Sequence, residues 1–156
     1  MAKPSSRTSE RPPCPGNGGA AVSFHTVTPQ PSAPVVVAAG RGTRRLVAVA
    51  CRAGDDVVVT LTGGERPHVG CVVLAQPNAT RGGEARIRVT STVVAIPPHR
   101  EEALARPLAE RLAQGLNATV VVSAGVHEDG LAAEGIAAYL RLGDELTAAL
   151  LDALAP

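Results

Sequence analysis

From Leu46 to Ile96 the apolar residues come in short, β-branched runs cut by glycine and proline, and then the rhythm changes. Leu104, Leu108, Leu112 and Leu116 recur every four residues. Runs of the first kind fit strands, and a stripe of the second kind fits one face of an amphipathic helix. The switch restricts the chain to a sheet that a helix can cover. Leu46–Cys51 reads as a strand closed by the turn sequence Ala53-Gly54-Asp55-Asp56. Val57–Thr62 reads as a second, expected to be buried on both faces, and Val69–Gln76 as a third. Arg86–Ile96 reads as a fourth, alternating Ile87, Val89 and Val93 with Arg88, Thr90 and Thr92. Pro97-Pro98 ends it, the leucine stripe follows with Pro107 inside it, and Asn117 closes that helix. Ala118–Ala124 is a fifth strand, stopped at Gly125-Val126-His127. The rest is helical around Leu131–Leu140, with a break expected at Gly143 and a last helix over Asp144–Leu154. The fold class is α+β: a mainly antiparallel sheet of about five strands with helices packed on one face, in the order β-β-β-β-α-β-α.

Residues 1–42 differ from this pattern. They are dense in proline and glycine and show no apolar periodicity, apart from a weak strand signal at Val22–Val27. A flexible tail is expected over 1–42, with a single domain over 43–156. No apolar run in the tail has the length of a secretory signal core.

The domain must be built from Val, Leu and Ala, because Phe24 and Tyr139 are the only aromatic residues. So thin a core in a small domain favours association, and a homodimer is expected. The net charge of +1 gives no electrostatic case for nucleic acid. No apolar run is long enough for a membrane helix. Cys14, Cys51 and Cys71 are odd in number and lack a CxxC pair, which points to a reduced, cytoplasmic protein without a disulfide framework.

Three short segments can carry chemistry. In Thr62-Gly63-Gly64-Glu65-Arg66-Pro67-His68-Val69-Gly70, the paired glycines can turn successive N–H groups toward an anion beside His68, and Gly70 allows a close approach. A long hairpin with a surface histidine explains the same spacing. His99-Arg100 stands at the start of the first helix, where Arg100 can meet a phosphate and His99 can donate to a ligand oxygen; a solvated helix start is the alternative. Ser123-Ala124-Gly125-Val126-His127 ends a strand in small residues that leave room for a planar ligand, or that merely end it. A metal is not expected: His68, His99 and His127 lack chelate spacing, and no acid is evidently placed with them. Glu101-Glu102 fits a helix N-terminus, and Asp55-Asp56 a turn.

Taken together and in this order, Thr62-Gly63-Gly64-x-x-Pro67-His68-x-Gly70, His99-Arg100 and Gly125-Val126-His127 resemble the LpdD-like family, over about Leu46–Leu154. The resemblance implies a chaperone for reduced prenylated FMN. Such a protein takes the cofactor from a flavin prenyltransferase and passes it to a UbiD-like decarboxylase. By carry-over, Gly63, Gly64, His68 and Gly70 form one wall of the cofactor site, and His99, Arg100, Gly125 and His127 another, with no catalytic residue among them. Pro107 departs from the family pattern. Two other classes fit the residues less well: a structural accessory subunit, and a small enzyme using His68 or His127 as a base.

Overall fold

A computed structural model describes residues 33–78 and 87–155. Six strands and two helices follow in the order β1 Val35–Arg41, β2 Arg44–Ala53, β3 Asp56–Gly64, β4 Cys71–Pro77, β5 Val89–Ala95, α1 Glu102–Leu116, β6 Val120–His127 and α2 Ala133–Leu154. They form one sheet with the strand order β1-β2-β3-β6-β4-β5. All neighbours are antiparallel except β3 and β6, which run parallel with Val57 opposite Val120 and Gly64 opposite His127. The α+β class holds.

Alternation along the strands sets the core. Leu46, Ala48 and Ala50 of β2, Val57, Val59 and Leu61 of β3, Cys71, Val73 and Ala75 of β4, and Val120, Val122 and Ala124 of β6 all point to one buried face. The stripe Leu104, Leu108 and Leu112 of α1, with Leu146, Leu150 and Leu154 of α2, closes over it. The helices approach closely where glycine faces leucine. A Cβ on Gly143 would stand against Leu104, and one on Gly115 against Leu151.

Several expectations change. Val35–Arg41, assigned to the tail, is an ordered strand paired with β2 from Val35↔Ala50 to Arg41↔Arg44, so the sheet has six strands and the domain begins before residue 43. The weak signal at Val22–Val27 lies outside the described residues. β3 is buried on one face only: Val58 is 44% exposed and Thr60 is exposed, because both helices lie on the other side. No break occurs at Gly143, where the close approach of α1 makes glycine a packing residue inside a continuous helix of 22 residues. Pro107 lies within α1, which starts well ahead of it at Glu102. Asn117 closes α1 as expected, in the left-handed region at φ 49°.

Among the described residues no helix covers the other face, which is rich in valine. Successive partners Val36, Val49, Thr60, Ser123, Val72 and Val94 form a row across it, and Val58, Val121 and Leu74 share it. Val36 is 63% exposed and Val94 64%.

Candidate functional site

The segment between β3 and β4 is not a hairpin. β6 lies between those two strands, so residues 65–70 must cross the end of β6. That crossing explains both its length and its glycines. Gly63 and Gly64 are the last residues of β3, in register with Val126 and His127. Gly64 has φ +72° and faces the His127 carbonyl so closely that a Cβ would clash with it. The Glu65 N–H donates to His127 O at 2.6 Å, and the Gly70 N–H donates to Ala124 O at 2.8 Å. Between these two ties the chain passes directly over Gly125, where a Cβ would collide with the His68 backbone. The glycines therefore fit the crossing to β6, and the Glu65 N–H beside them is already bonded.

The crossing delivers His68 to a small polar cluster. His68 Nε2 lies 2.9 Å from His99 Nδ1 and 3.0 Å from Glu101 Oε1, and His99 Nδ1 lies 3.5 Å from the same oxygen. The two imidazole rings are 4.2 Å apart between centroids. His68 Nδ1 sits 3.1 Å from the Arg66 carbonyl, which can only accept, so that nitrogen carries the hydrogen. Glu101 is the N-cap of α1, yet its side chain makes no capping bond. It folds inward, is buried, and its Oε2 has no hydrogen-bond partner among the described residues. A Cβ on Gly70 would press on this carboxylate, which is why the chain carries glycine there.

His127 stands at the rim, its ring 6.2 Å from that of His68 and edge-on to it. Arg66 Nη2 bridges His127 Nε2 at 2.7 Å and Asp129 Oδ1 at 2.6 Å. The contacts with His127 and with the Arg66 guanidinium hold the Asp129 carboxyl below the usual aspartate range.

Beside the cluster is a groove of about 200 Å³, between the start of α1, the end of β6 and the start of α2. Arg100, Val126, Leu131, Ile136, Tyr139 and Leu140 line it. Arg100 is exposed and makes no ion pair among the described residues. Tyr139 closes the inner end and donates its hydroxyl to Glu128 Oε2 at 2.9 Å, and Arg44 Nη2 meets the other oxygen at 2.5 Å. Burial and the bond to Glu128 push the Tyr139 phenol up to about 12, so it stays a proton donor at neutral pH. Burial pushes the Cys71 thiol up to about 11, with Glu101 adding to the effect, which leaves that sulfur unreactive.

The fold thus gathers His68, His99 and His127 at one end of the sheet and sets Arg100 on the adjoining groove. Gly63, Gly64, Gly70 and Gly125 are the packing residues that make this possible. Sequence reasoning missed Glu101, Arg66 and Asp129, and with Glu101 it missed the acid that accompanies two of the histidines. The spacing His99-x-Glu101 at a helix start was the available signal. An apolar groove that meets the histidine cluster at Glu101 and carries the Arg100 guanidinium, which has no ion pair among the described residues, suits a ligand that joins a flat apolar body to an anion.

Residues 40–155 match the family model described as the prenylated flavin chaperone LpdD-like domain. No curated protein matches the chain. No helix among the described residues is long and apolar enough to cross a membrane.

Proposed function

The chain belongs to the LpdD-like prenylated flavin chaperone family, and on that premise we propose that it holds prenylated FMN in the groove beside the histidine cluster and hands it to a UbiD-like decarboxylase. The observation that carries this reading is the placement of Arg100, exposed and unpaired among the described residues, at the edge of an apolar groove whose other side reaches the cluster. FMN is a planar ring system with a phosphate on a flexible arm. Arg100 is the group suited to the phosphate, since a guanidinium meets phosphate oxygens through paired N–H donors. Val126, Leu131, Ile136 and Leu140 supply aliphatic contact for the ring, in place of the aromatic stacking this composition lacks. His99 and His127 offer donors for the polar ring edge, with His68 packed beside His99.

The groove's size suits a carrier. At about 200 Å³ it falls below the roughly 300–1,000 Å³ of enclosed small-molecule pockets. One protomer would bury part of a flavin and leave the rest open for transfer. The donor would be a flavin prenyltransferase, and the exchange would take place in the reducing cytoplasm. The valine-rich face of the sheet supports a homodimer, because a second copy would cover Val36, Val58 and Val94.

Anaerobic titration of the protein with reduced prenylated FMN, followed by absorbance, tests the reading. The expected result is saturable binding by the wild type, at least tenfold weaker in Arg100→Ala, and activation of a flavin-free UbiD-like decarboxylase by the loaded protein. Binding of the decarboxylase without any response to flavin would make the chain a structural subunit instead. Turnover of an aromatic acid without a partner would make it an enzyme.

A further inference from the structure

His68, His99 and Glu101 have the geometry of metal ligands, and we propose that they form a binding site for a divalent first-row transition ion of the zinc type. Their three facing atoms stand 2.9, 3.0 and 3.5 Å apart. In a tetrahedral site with metal–ligand bonds of about 2.0–2.2 Å, neighbouring ligand atoms are separated by roughly 3.3–3.5 Å. The triangle matches one face of such a tetrahedron after an outward shift of a few tenths of an ångström.

The hydrogen-bond pattern points the same way. His68 Nδ1 gives its hydrogen to the Arg66 carbonyl. In the neutral ring Nε2 is then a bare lone pair, and it faces a carboxylate oxygen and a second imidazole nitrogen. With the His99 hydrogen on its Nε2, all three converging atoms offer lone pairs. A ring N–H given to a backbone carbonyl is also how metal-ligating histidines are usually oriented. A single proton on His99 Nδ1 can serve one or two of these partners. It leaves Glu101 Oε2, which is buried and unpartnered, uncompensated. A divalent ion serves all three donors and balances the buried carboxylate. Two nitrogens and one oxygen select zinc, iron(II) or cobalt(II) over magnesium and calcium, which prefer all-oxygen shells. His68 and His99 are 24% and 30% exposed, so the site is reachable from solvent and a fourth position can stay open.

The reading is independent of flavin, and so is its test. Metal-free full-length protein is titrated with Co²⁺ and followed by its visible d–d absorption, with Zn²⁺ competition for affinity. The wild type is expected to bind one equivalent with the intense band of a four-coordinate site. Glu101→Gln and His99→Ala should each weaken binding roughly a hundredfold or more, while Cys51→Ser, which removes an exposed thiol outside the cluster, should leave it unchanged. If Glu101→Gln fails to fold by circular dichroism, His99→Ala decides. Absence of the band in the wild type, or equal affinity in folded His99→Ala, overturns the proposal.

Discussion

The crossing over Gly125 can be tested with one methyl group. In Gly125→Ala the new Cβ would meet the His68 carbonyl well inside 3.0 Å, closer than Cβ atoms come to anything in real structures. The obstacle is backbone, so no rotamer change relieves it. Gly125 has no left-handed φ, and the cost is therefore steric alone. The segment must lift off β6, and lifting it threatens the two ties at its ends, Glu65 N–H to His127 O and Gly70 N–H to Ala124 O. At about 0.5–1.5 kcal/mol for each bond the loss is about 1–3 kcal/mol, out of the roughly 5–15 kcal/mol that holds a domain together. The second consequence is local. His68 rides on the lifted segment and leaves the contact distances of 2.9 and 3.0 Å to His99 and Glu101. Gly42→Ala is the control. It places a side chain at φ +60° with nothing within 4 Å, so it costs about 1–2 kcal/mol of backbone strain without touching the cluster. Urea unfolding should show both variants destabilised by similar amounts. Anaerobic titration with reduced prenylated FMN should show weakened binding in Gly125→Ala and normal binding in Gly42→Ala. A Gly125→Ala protein with wild-type unfolding midpoint and wild-type affinity would refute the idea that the crossing is seated on Gly125.

Deletion of residues 1–32 should leave the urea midpoint unchanged. Deletion of 1–41 also removes β1 and uncovers the partners of Val35, Val37 and Ala39, and should cost about 2–4 kcal/mol. Val58→Glu, on the uncovered sheet face, should shift a dimer to monomer by light scattering at micromolar concentration while leaving thermal stability of the protomer intact. Tyr139 gives a signature at alkaline pH. Its phenol titrates near 12 when folded against an ordinary 10.0, so the contribution is complete below about pH 10 and is lost as the pH rises toward 12. Stability measured across that window should fall more steeply in wild type than in Tyr139→Phe.

The elements that announced themselves in sequence were those with their own periodicity. Leu46–Cys51, the leucine stripe and the alternating run through Val89 and Val93 could be read because each carries its pattern within a few residues. β1 could not, because Val35-Val36-Val37 directly follows proline-dense sequence and is a strand by virtue of pairing with β2. Gly143 looked like a helix break because what it packs against, Leu104, lies in another element. The candidate site shows the same division. The histidines and Arg100 stood out by type and position, whereas Glu101 read as a helix N-terminus until the fold carried His68 across to it. Gly63-Gly64 suggested an anion nest. It is the end of a strand, a fact that depends on the pairing of residues 63 positions apart.

The insertion of β6 between β3 and β4 has a consequence for how the chain acquires its shape. Strands β1 to β3 can form a meander as soon as they are synthesised, and β4 with β5 can form a hairpin, but the two pieces share no edge. They are joined only by a strand that begins at Val120, 56 positions after β3 ends at Gly64. Until that strand arrives, both pieces expose open β-edges and the apolar face that α1 and α2 will cover. Such species are the ones that aggregate or pair wrongly. The same late strand supplies Gly125 and His127, so the histidine cluster cannot be seated on β6 before the sheet is closed. A nascent or truncated chain is therefore unable to present a half-built version of the site.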